Sequence, residues 1–199
     1  EYEATNSGVD NISISGLGIT RVASVNVSAD EFVFTALESN EVDLNAAFPV
    51  TLTWSKDGVA QANQPVKFVI TRGSVFAQQD TPLVQTEVTK NTDANGSVTV
   101  YVQSAAAGFA TIRAEAGDGD SLITSEISVE FVADTVDSVT VQASPSQLGV
   151  NEQSSIRAIV LDANNNPVKN QTVSFVLTGA AGGTLNPASS VTNSQGIAS

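Results

Sequence analysis

The sequence predicts an all-β protein built as tandem β-sandwiches. Three observations predict it. One nine-residue stretch is written twice, as Asn63-Gln64-Pro65-Val66-Lys67-Phe68-Val69-Ile70-Thr71 and as Asn170-Gln171-Thr172-Val173-Ser174-Phe175-Val176-Leu177-Thr178. In each copy apolar residues alternate with others (Val66, Phe68, Ile70; Val173, Phe175, Leu177), and period two means a strand with one buried face. Turn signals recur about every 8–12 residues, the rhythm of a sandwich. Val, Thr, Ser, Asn and Gly dominate, and no stretch sustains a 3.6-residue period.

The bulk numbers set limits. A chain of 199 residues holds one large domain or two of about 100, and the repeat favours two. A formal net charge of −13 repels nucleic acid and anionic lipid, so neither is a main partner. There is no Cys, so the core must hold without disulfides. With no His either, Ser-His-Asp and Cys-His nucleophiles are excluded, as are zinc sites built on nitrogen or sulfur. No run approaches the roughly 20 apolar residues of a membrane helix. No basic-then-apolar leader is present. The expectation is a piece of something longer.

Residues 1–29 read as the C-terminal strands of a preceding repeat. Gly8-Val9-Asp10-Asn11-Ile12-Ser13-Ile14 parallels Gly108-Phe109-Ala110-Thr111-Ile112-Arg113-Ala114 at a constant offset of 100. Val25 to Asp30 parallels Val129 to Asp134, and the shared Ala-Asp marks a domain boundary. Residues 30–133 then form one complete domain. Its expected strands are Phe32–Ala36, Val50–Trp54, Val66–Thr71, Leu83–Val88, Val98–Val102, Phe109–Ala114 and the run from Ile123 to Phe131. Asp57-Gly58 and Thr92-Asp93-Ala94-Asn95-Gly96 are the turns between them. Residues 134–199 restart the pattern with strands at Val139–Val141 and Ser155–Leu161. The turn Asp162–Pro167, the second copy of the repeated strand and Thr192-Asn193-Ser194-Gln195-Gly196 follow. This last unit lacks its final strands.

The phase of the break carries an expectation. Ser199 aligns with Thr99 and Glu1 with Tyr101, so the leading fragment supplies almost what the trailing one lacks. A sandwich without its last strands has open edges. Head-to-tail self-association by strand exchange, residues 1–29 of one molecule completing 134–199 of another, would close them as a ring or a filament; the alternative is a cropped or lattice-stabilised fragment of a longer array.

The stretch Asp162-Ala163-Asn164-Asn165-Asn166-Pro167-Val168-Lys169-Asn170-Gln171-Thr172-Val173-Ser174-Phe175, followed by Thr192–Gly196, resembles the bacterial immunoglobulin-like repeats of invasin and intimin. The first copy departs from the pattern: Trp54 stands at the Leu161 position, Asp57-Gly58 replace Asn164-Asn165, and the excursion from Gly73 to Asn91 is longer. The resemblance implies tandem immunoglobulin-like β-sandwiches that pack on neighbouring repeats. It further implies a stalk holding an adhesive tip away from a bacterial outer membrane, so an extracellular, cell-surface location with attachment through other regions. The implied function is a structural spacer in cell adhesion rather than an enzyme.

Candidate sites are few. The carboxylates Glu38, Glu41 and Asp43 lack the aromatic platform of a sugar-cleaving site. Asp118 and Asp120 lie in a Gly-rich loop, and Asp134 and Asp137 open the next unit, expected at the same end of the sandwich. Hard oxygen ligands converging there would hold Ca²⁺ and stiffen the joint, although Asp-Gly is also ordinary turn chemistry. The excursion Gly73–Asn91, with Val75, Phe76 and Leu83, is the candidate surface for a host protein, receptor or glycan if those residues are exposed, and spacer material if they are buried. A third reading is an accessory domain of a secreted polysaccharide-degrading enzyme. Lys67, Lys90 and Lys169 read as solvated lysines. Trp54 reads as a core tryptophan between the sheets.

Overall fold

The computed structural model describes residues 2, 8–27, 30–80, 82, 84–117, 119–179 and 182–199. Strands β1 (Gly8–Gly16) and β2 (Ile19–Val27) form a hairpin. Its two-residue turn, Leu17-Gly18, has both φ positive, at 52° and 76°, as the right-handed twist of a hairpin favours.

The next unit runs through β3 (Glu31–Phe34), β4 (Glu41–Asp43), β5 (Phe48–Lys56), β6 (Val59–Ala60), β7 (Pro65–Ile70), β8 (Ser74–Phe76), β9 (Glu87–Asn91), β10 (Ser97–Gln103), β11 (Gly108–Ala116) and β12 (Ile123–Val132). One sheet has the order β3-β5-β10-β8, with β6 beside β5. The other has the order β4-β12-β11-β7-β9. Their facing residues make one core. Val50, Leu52, Val75, Val98, Val100 and Val102 come from the first sheet. Val66, Phe68, Ile70, Ile112, Val129 and Phe131 come from the second. Inward and outward residues alternate along β7 and β10, as the period of two demands.

The last unit has β13 (Ser138–Ser144), β14 (Ser155–Leu161), β15 (Thr172–Ser174), β16 (Ser189–Val191) and β17 (Ile197–Ala198). β13, β14 and β17 form one sheet, and β15 pairs β16. Its core cluster is small, with Ala133, Val160 and Val168 at the centre. Among the described residues there is no α-helix, only a 3₁₀ turn at Gly119–Ser121. The protein is all-β, a series of tandem immunoglobulin-like sandwiches.

The repeated turn motif folds identically in both units. Thr92 Oγ1 accepts from Gln64 N–H at 2.9 Å, and Thr192 Oγ1 from Gln171 N–H at 2.9 Å. Asp93 Oδ1 accepts from the Asn95 and Ser97 amides, and Asn193 Oδ1 from those of Gln195 and Ile197. Gly96 (φ 74°) and Gly196 (φ 70°) close the turns. A Cβ on either would meet a backbone oxygen, that of Trp54 at 2.3 Å or that of Val160 at 2.4 Å. The match pairs Trp54 with Val160, not with Leu161 as the sequence alignment has it. The Asp162 turn is longer than the Asp57 turn, and only the hydrogen bonds fix where the extra residues fall. Trp54 is half-buried, packed on the core and edge-on to Phe32 with ring centroids 5.4 Å apart.

One expected strand shifts, and two short strands appear where none was expected. The strand expected at Leu83–Val88 lies at Glu87–Asn91, because Val66 and Phe68 pair with Lys90 and Val88. β4 is too short to show a period, and it pairs in parallel with β12. The excursion after Gly73 contains β8, which joins β10 through Phe76↔Tyr101 and Val102↔Val75.

Candidate functional site

The chemistry of this chain gathers where the β3–β12 sandwich meets the following unit. β12 runs on through Ala133, whose backbone forms a parallel bridge to Val168. Ala133, Val160 and Val168 are buried together, and Leu44 packs against both this cluster and the core of the sandwich. Apolar contact is thus continuous across the joint.

A polar clamp surrounds it. Lys169 Nζ lies 2.6 Å from Glu41 Oε1 and also contacts Glu130 Oε2. The Glu130 side chain is 4% exposed and that of Lys169 is 19% exposed. Asn170 Nδ2 donates to Glu41 Oε2 at 2.8 Å. Two carboxylates of one unit therefore hold one ammonium of the next. The contacts with Glu130 and Glu41 raise Lys169 above the ordinary lysine value. The Lys169 contact holds Glu41 below the ordinary carboxylate value, with a smaller contribution from Asn170 and against the pull of burial.

Asn166 makes the second half of the clamp. Its Oδ1 accepts from the Ala107 N–H, and its Nδ2 donates to Ala105 O, both at 3.1 Å. The same Nδ2 donates to Asp162 Oδ2 at 2.9 Å, which fixes the amide plane. Asp162 Oδ1 accepts from the backbone amides of Asn164 and Asn166. Burial pushes the Asp162 carboxyl up, but these bonds from Asn166 and Asn164 outweigh it and leave the group low. Asn166 is buried, so an unpaired amide here would be costly.

The candidate residues fall differently. The expected Ca²⁺ ligands do not share one end of the sandwich. β11 and β12 pair from Gly108↔Phe131 to Ala116↔Ile123, so the loop holding Asp118 and Asp120 joins one end of the hairpin. Asp134 and Asp137 follow its other end, about 27 Å away along a nine-residue strand. One ion does not span that length. Asp118 and the Asp120 side chain lie outside the described residues, and among those described no three His, Cys, Asp or Glu gather as a metal group.

Val75 and Phe76 are 0% and 1% exposed, so they fill the sandwich rather than present a binding face. Leu83 lies outside the described residues. Lys67 is half-exposed and pairs with Glu87 at 2.8 Å. Lys90 is not simply solvated: its Nζ donates to Ala77 O at 2.8 Å and to Thr99 O at 2.7 Å. Lys169 is the residue most misplaced by sequence. Its motif, Asn-Asn-Pro-Val-Lys-Asn, looks like a turn and a strand start. Its partners Glu41 and Glu130 lie far away in sequence, and no local pattern announces them.

Residues 138–199 match the family model of the bacterial Ig-like domain (group 1). That match covers the last unit, which holds β13 to β17. It is 27% identical over 182 residues to intimin of Escherichia coli O157:H7, across 87% of this chain. It is also 27% identical over 185 residues to intimin of Escherichia coli O127:H6 (strain E2348/69 / EPEC), across 89% of this chain. The chain spans only 18% of the length of each relative. Among solved structures, the D0–D1 domain of intimin aligns at 27% identity and a TM-score of 0.40, covering 84% of this chain and 80% of that one. The Ig-like match begins within five residues of Ala133, so the clamp joins the matched repeat to the sandwich before it.

Proposed function

We propose that this chain is a spacer segment of a bacterial cell-surface adhesin, in which clamped joints between Ig-like repeats keep a stalk extended outside the cell. The observation that carries the reading is the joint. Lys169 and Asn166 reach from one repeat into side-chain and backbone partners of the preceding one, over a shared apolar contact at Leu44. In an array of this kind, nearest-neighbour contacts set the stiffness. The similarity to intimin supports the surface location. The burial of Val75 and Phe76 removes two of the three residues offered for a host-protein or glycan surface.

Lys169→Ala tests the joint. It leaves the nearly buried Glu130 without its cation, at a cost of about 3 kcal/mol to the junction. Small-angle X-ray scattering should show a narrow distribution of long dimensions for the wild type and a broader, shorter one for the variant. Identical profiles would remove the clamp as the source of stiffness. Saturable binding of the chain to a host-cell protein or glycan array would displace the spacer reading in favour of a binding module.

A further inference from the structure

We propose that Asn95-Gly96 is a site of spontaneous deamidation gated by its own turn, closed while Asp93 holds the turn and open when the turn opens. The inference is independent of the spacer reading.

Asn95-Gly96 is the one Asn-Gly pair in the chain. In such a pair the Gly nitrogen attacks the Asn side-chain carbonyl carbon, and Gly has no side chain to hinder the approach. The side-chain nitrogen leaves as ammonia, taking the backbone amide proton with it, and a succinimide ring remains. Water then opens the ring at either carbonyl and leaves aspartate or isoaspartate. Asn95 is exposed, so water reaches it. The matching position of the next unit is Gln195, before Gly196. Its side chain is one methylene longer and would have to close a larger, less favoured ring. The two turns share a fold and differ in this chemistry.

The fold holds the attacking nitrogen back. Gly96 N–H donates to Asp93 O at 3.1 Å, and Asp93 Oδ1 accepts from the Asn95 and Ser97 amides at 2.8 and 2.9 Å. Neither Ala94 nor Asn95 has a positive φ, so the bend is of type I, with ψ about 0° at Asn95. Ring closure needs that ψ rotated well away. Gly96 does not follow such a rotation freely. It is buried, its carbonyl accepts from Trp54 N–H at 2.8 Å, and an added Cβ would meet the Trp54 carbonyl. The nitrogen therefore reaches the Asn95 side chain only after the turn opens, a local event that costs less than unfolding the sandwich. The product then keeps the turn open. Isoaspartate adds a carbon to the main chain, which shifts Gly96 against Trp54. Either product sets a new carboxylate two residues from Asp93, where like charges repel.

The test incubates the full chain in mildly alkaline buffer, folded and in urea. Asn95 is followed by peptide mass and by isoaspartate methyltransferase labelling. Deamidation should be at least about tenfold slower in the folded chain, because opening must precede it. Asp93→Ala removes the two side-chain bonds and should speed the folded reaction by about fivefold or more, the worth of one net hydrogen bond. Asp93→Asn keeps the acceptor that Asn193 supplies in the matching turn and should stay slow. Equal rates folded and in urea would overturn the gate, as would an unchanged folded rate in Asp93→Ala. Intact Asn95 after incubation in urea would overturn the site itself. The urea comparison uses no variant, so it decides even where Asp93→Ala fails to fold.

Discussion

Single residues in this chain matter where the backbone leaves no alternative. Gly196 holds φ 70° with the Val160 carbonyl 2.4 Å from where a Cβ would sit. Gly196→Ala meets both left-handed strain and a backbone clash, so it should destabilise its unit by about 2 kcal/mol or more. Gly96→Ala should do the same to the preceding sandwich, against the Trp54 carbonyl. Separate thermal transitions for the two units would check this, each variant lowering only its own. Equal melting of variant and wild type would mean that the turn shifts freely. These glycines were legible in sequence, because a Thr-Asp/Asn-x-x-Gly turn is a local event. Asn166 was not. Its neighbours predict a turn, and nothing local says that its amide crosses to Ala105 and Ala107.

At the scale of elements, the joint rests on a short loop and the end of a strand. The Asp162–Pro167 turn presents Asn166, and β12 delivers Ala133 and Glu130 to the same place. Asn166→Ala leaves the Ala107 amide and the Ala105 carbonyl without their partner, at about 1–3 kcal/mol. The expected result is faster hydrogen exchange at the Ala107 amide with unchanged protection in β5, β10 and β11. Loss of protection throughout the β3–β12 sandwich would instead make the turn part of that sandwich's stability. The strands themselves follow from alternation. Among the exceptions are β4 and β8, three residues each, which are too short to carry a period and are held by pairing with β12 and β10.

For the whole molecule, the clamp makes the relation between units depend on pH. The Glu41 value is depressed, so its contribution is present above the ordinary carboxylate range and is lost as pH falls through its lowered value. The Lys169 value is raised, so its contribution is complete below the ordinary lysine value of 10.5 and is lost as pH rises through the raised one. The joint should therefore be tightest across the neutral range and loosen at both extremes. Energy transfer between dyes placed on β5 and β13 would follow it. A distance that stays constant into strong acid would show that apolar contact at Leu44 and Val168 suffices alone.

The sequence by itself determined the all-β class, the first copy of the repeated strand, the repeated turn and the faces of the complete sandwich that point inward, whereas the second copy forms a strand only over Thr172–Ser174 and leaves Leu177 exposed. Each of these depends on spacing within a few residues, where a strand's period and a turn's φ requirement are expressed directly. Only the tertiary structure decided which carboxylates matter. Glu41 and Glu130 meet Lys169 because β4 pairs in parallel with β12 and carries both to the next unit. The loop holding Asp118 and Asp120 is carried away from that joint by the length of the same hairpin. Net charge and local motif are blind to such placement, since strand pairing brings together residues that the chain keeps far apart.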